Sequence, residues 1–140
     1  MNKFIHLVLL PTFFTFFLIG SATAAIPNVT GTYKGTAKYL TPTSTSCPAG
    51  VTITVKITSM CGRLVKGTGT IGSVTTPIVG RLDKGNALLS MSGTSTTGGF
   101  FMFSGSYNGS KIISVDSFNA FNTPGTPPAG AIFDYFTLSK

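Results

Sequence analysis

Apart from hydroxyl groups, the residues able to do chemistry in this chain are few: two cysteines, one histidine and three acids among 140 residues. The histidine, His6, lies in an apolar N-terminal stretch. No His, Glu or Trp follows it, and the only acids are Asp83, Asp116 and Asp134. Nucleophilic catalysis needs a proton acceptor beside a Ser, Thr or Cys, and no histidine is available to activate the abundant serines and threonines. A glycosidase needs two carboxyl groups across a cleft. The aspartates fall at a turn (Asp83), in the second-last strand (Asp116) and in the last strand (Asp134), a set that suits hydrated surface positions. Two cysteines without a histidine do not complete a tetrahedral zinc site, and calcium needs carboxylates closer together. The expectation is a protein that is not an enzyme, with no metal and no cofactor.

Residues 1–24 have the plan of a secretory signal. Lys3 supplies the positive start, Phe4 to Gly20 the apolar run, and Ala22-Thr23-Ala24 the small-residue cleavage site. The expected mature chain, 25–140, is then one domain, secreted or periplasmic, and not membrane-spanning once the signal is removed. Its nine Lys and Arg outnumber its three Asp, so anionic glycans and envelope surfaces are plausible neighbours. The basic residues form no run, which suits solubility as well as recognition, and export argues against nucleic acid.

Two cysteines in an exported chain suggest a disulfide between Cys47 and Cys61. A straight strand at 51–58 would separate them, so the alternatives are a bridge over a coiled strand, or two thiols that are free or paired between molecules.

Short alternating segments, cut by Gly, Asn, Pro and Ser, predict an antiparallel meander at about 30–40, 50–59, 63–71, 74–82, 86–95, 99–107, 110–118 and 130–139. In Val51 to Thr58 the aliphatic residues fall on one face and Thr52, Thr54, Lys56 and Thr58 on the other. Glycines recur on the inward phase at Gly31, Gly35, Gly67, Gly69, Gly93 and Gly105. They favour an all-β fold in which about eight strands close into a small barrel. Asn108-Gly109 predicts a type I′ hairpin. Phe118 to Gly130, rich in Pro, Gly and Asn, predicts a long loop whose Phe118 and Phe121 either cover a ligand entrance or plug one end of the barrel. Lipid-facing barrels put apolar residues outward, which this pattern does not do.

The Gly31-Thr32-Tyr33-Lys34-Gly35 opening and the meander that ends on a closing strand resemble the calycin group of small barrels, which includes avidins and lipocalins. In lipocalins a tryptophan at the equivalent of Tyr33 closes one end against a late basic residue. Here the residue is Tyr33 and the only late cation is Lys140. The resemblance implies a barrel with an internal cavity and leaves the ligand open. Without tryptophan, a biotin site like that of avidin is not expected.

Two functions follow as expectations. The first is a carrier for a small apolar or amphipathic molecule, with an interior lined by Tyr33, Tyr39, Val55, Phe101, Phe103, Tyr107 and Phe133, and with Phe118 and Phe121 at its mouth; the alternative is a core filled by those same side chains. The second is an adhesion or envelope-associated module acting through the threonine- and lysine-rich outer face of Thr52, Thr54, Thr58, Thr68 and Thr70 with Lys56 and Lys66.

Overall fold

The structure, a computed structural model, describes residues 25–46, 50–94, 100–119 and 130–140. All of its regular structure is β: β1 (Gly31–Ala37), β2 (Tyr39–Leu40), β3 (Val51–Cys61), β4 (Leu64–Ile71), β5 (Val74–Leu82), β6 (Leu88–Thr94), β7 (Phe100–Tyr107), β8 (Lys111–Asn119), β9 (Ala131–Phe133) and β10 (Phe136–Ser139). β1, β3, β4, β5, β6, β7 and β8 pair in sequence, and β10 joins β8 back to β1, closing an eight-stranded antiparallel barrel. β2 continues β1 and β9 precedes β10. They pair at Tyr39↔Phe133, while lower down Lys34 pairs with Ser139. Each of the eight expected segments is present. β3 extends past the expected turn to Cys61 by bulging between Ile57 and Ser59, and β8 carries Phe118 and Asn119 as paired strand.

Alternation decides which side chains fill the barrel. On β3, Ile53, Val55 and Ile57 are buried, whereas Thr52, Lys56 and Thr58 are exposed. Corresponding residues of the other strands join them in one buried cluster that includes Tyr33, Val65, Ile78, Leu89, Phe103, Ile112 and Leu138. Inward glycines let neighbouring backbones close up. A Cβ at Gly67 would collide with the Lys56 carbonyl, and one at Gly80 with the Ser90 carbonyl, so any side chain there would flatten the coil.

The N-terminal segment covers one end. Val29 is fully buried and its carbonyl accepts a 2.7 Å hydrogen bond from the Tyr33 hydroxyl. Tyr107 meets Tyr33 edge-on with centroids 6.5 Å apart, and Lys140 Nζ lies 5.3 Å from the Tyr33 ring centre, within cation–π range. Gly31 makes room for this, because a Cβ there would come within 2.6 Å of Lys140 Cε. Burial pushes the Tyr33 phenol well above its ordinary pKa, and Tyr107 adds to the shift.

The turn at Asn108-Gly109 differs from expectation. Gly109 has φ 96°, but Asn108 does not take positive φ, so the turn is not type I′. Asn108 instead uses its side-chain carbonyl to accept the Lys111 N–H at 3.1 Å.

Candidate functional site

The aromatic residues expected to line one site are split between two ends of the barrel. Tyr33 and Tyr107 belong to the end covered by Val29. Tyr39 and Phe133 pair at the other end with centroids 5.9 Å apart, six residues or about 20 Å along the first strand. Phe103 is buried mid-wall, packed in the common cluster with Val55. Phe101 and Phe118 lie in paired strand, where Phe118 has Met102 and Ile132 as its register partners. Phe121 and the remainder of the expected loop, 120–129, lie outside the described residues.

Cys61 is an exposed free thiol at the end of β3, and Cys47 lies outside the described residues. β3 holds Cys61 roughly 30 Å from Val51.

Two concave regions stand out among the described residues. The larger, about 950 Å³, crosses β3 to β7. On each of these strands it touches three consecutive residues: Ser59–Cys61, Leu64–Lys66, Val79–Arg81, Ser90–Ser92 and Met102–Ser104. The central residues, Met60, Val65, Gly80, Met91 and Phe103, are the inward ones, and those on either side point outward. Val65, Met91 and Phe103 are almost fully covered, so the accessible lining belongs to the outward residues and this is a groove on the outer wall. Its apolar contribution comes from Leu64, Val79 and Met102, which are 62%, 63% and 46% exposed. Lys66 and Arg81 are its cations, and no acid lines it among the described residues.

Register explains the convergence. Lys66, Val79, Ser92 and Met102 form one row across four strands, and Leu64, Arg81, Ser90 and Ser104 form the next. The turn between β3 and β4 is clamped nearby, where Arg63 Nε donates to Asn86 Oδ1 at 3.0 Å. Asp83, in the β5–β6 loop with Asn86, accepts the Ala87 and Leu88 N–H groups at 2.8 and 2.9 Å. The Leu88 bond, with lesser help from other backbone donors and Arg63, holds its carboxyl below the usual range.

The smaller region, about 570 Å³, lies around β2 and β9 between Leu40, Pro42 and Ile132. No group of three or more metal-ligating side chains appears among the described residues. Sequence reasoning missed the larger groove because it depends on which outward residues are neighbours across strands. The available signal was weak: apolar residues at outward phases in Leu64, Val79 and Met102. Comparison with protein-family models, curated proteins and solved structures finds no match.

Proposed function

We propose that the protein is an exported, non-catalytic binding barrel that takes a small amphipathic molecule in the groove across β3 to β7. The observation carrying this reading is the division of space. The interior positions form one cluster of buried side chains, while the groove offers the volume of a ligand site with apolar side chains and two cations. An anionic head would lie at Lys66 and Arg81, and an apolar body against Leu64, Val79 and Met102. This moves the expected ligand from the interior to the outer wall.

The closure of the first strand on the last, with Lys140 against the Tyr33 ring, supports the resemblance to calycins. Exposed mid-strand lysines such as Lys34 and Lys56 support a barrel standing in water, in a secreted or periplasmic setting.

The test is saturable binding of cis-parinaric acid by the mature chain. Val79→Asp should weaken it at least tenfold while shifting the thermal midpoint by no more than about 2 °C, since Val79 is exposed. Unchanged affinity in that variant refutes the groove.

A further inference from the structure

The basic residues that form no run in the sequence form a line in the structure. Lys34 of β1 is the register partner of Thr54, and Lys56 lies two residues further along β3. Lys56 is the partner of Thr68, and Lys66 lies two residues from it toward the same end of the barrel. Lys66 is the partner of Val79, and Arg81 follows by the same displacement. Thus Lys34, Lys56, Lys66 and Arg81 descend one diagonal across four consecutive strands, in steps of about 7–8 Å. All four are exposed and outward-pointing, and among the described residues none forms an ion pair. Four like charges so aligned repel one another, and nothing in the packing of the barrel requires them. Their alignment is explained by an anionic partner.

The geometry points to a binding track for a linear anionic polysaccharide along Lys34, Lys56, Lys66 and Arg81. The track covers about 22 Å, the length of four or five sugar units at about 5 Å each. Its four strands turn through three of the eight strand steps, about 135° of the wall. A flat bilayer meets only part of such a curve, whereas a flexible chain follows it. Thr32, Thr54 and Thr68 flank the cations with hydroxyl groups suited to sugar hydroxyls and carboxylates. The outward positions of β1, β3 and β4 carry no aromatic side chain on which a nucleobase would stack. The polymer is therefore a glycan. Although the track's lower end adjoins the groove, its upper half is independent of it.

The probe is a heparin hexasaccharide, titrated calorimetrically into the mature chain at low salt. Lys34→Gln with Lys56→Gln should weaken binding about tenfold. Lys84→Gln with Lys111→Gln removes the same charge off the diagonal and should change affinity less than twofold. The first double variant should leave cis-parinaric acid affinity within twofold, so the two sites fail or stand separately. The track is overturned by absence of hexasaccharide binding, by equal losses in the two double variants, by an oligothymidylate of equal charge binding as tightly, or by phosphatidylglycerol vesicles that compete at equal phosphate concentration.

Discussion

The outer wall divides into two unlike halves above an inner face of one kind. Across β1, β3 and β4 the outward positions are Thr32, Lys34, Thr36, Thr52, Thr54, Lys56, Thr58, Lys66, Thr68 and Thr70, with Cys61 and Leu64 at the edge that meets the groove. Across β5 to β7 they include Val79, Leu88 and Met102 with interspersed serines. Inward, both halves supply aliphatic and aromatic side chains with glycines where backbones approach. Packing therefore accounts for the inner face and leaves the outer face free to differ. Single exposed apolar residues need no explanation, but Leu64, Val79 and Met102 meet at one groove beside two cations.

The largest effect should come from the glycines that set the coil in each half. Gly67→Ala and Gly80→Ala each place a Cβ against a neighbouring carbonyl and should lower unfolding free energy by about 2–3 kcal/mol in urea titrations. Only Gly80→Ala should also weaken cis-parinaric acid, because Gly80 lines the groove. Equal effects of the two on ligand affinity would erase the distinction between the halves.

A smaller effect concerns the end closure beneath the polar half. Tyr33→Phe removes the hydroxyl bonded to the Val29 carbonyl and should cost about 1 kcal/mol at pH 7. The raised Tyr33 pKa stabilises the fold fully below the ordinary value near 10. That contribution is lost as pH rises toward the folded value. The parent protein should therefore lose stability above about pH 10, and Tyr33→Phe should do so less steeply. Parallel alkaline limbs would show that another group governs the transition.

The smallest effect tests the interior where the halves meet. Thr76 on β5 is 1% exposed and its hydroxyl has no hydrogen-bond partner. Thr76→Val should leave stability unchanged or raise it by up to about 1 kcal/mol, measured as the urea midpoint. A marked loss, together with weaker cis-parinaric acid binding, would mean that the hydroxyl serves a bound molecule inside the barrel.

Much of the fold was legible because strand alternation is a property of neighbouring residues. Val51 to Thr58 shows its two faces without a partner, and Gly31-Thr32-Tyr33-Lys34-Gly35 anticipates the close approach of the last strand. Lys140 was the one late cation, and it does lie against Tyr33. What the sequence conceals is register. The bulge between Ile57 and Ser59 and the lengths of the turns decide that Lys66 faces Val79 and stands diagonal to Lys56. The same dependence hid the groove, and it separated aromatics that composition alone invites one to group. Asn108 misled for a local reason, since its side chain makes the bond that positive φ at both turn positions would otherwise have provided.

Adjacent residues Ile78 and Val79 lie on opposite faces of β5, 2% and 63% exposed. With a methyl-labelled mature chain saturated with cis-parinaric acid, intermolecular nuclear Overhauser effects from the acyl protons distinguish the two faces within one strand. The outer-wall account predicts contacts to the methyls of Val79, Leu64 and Met102 and none to Ile78, Val55 or Ile53. Contacts to Ile78, Val55 and Ile53 without Val79 would place the ligand inside the barrel and contradict the account.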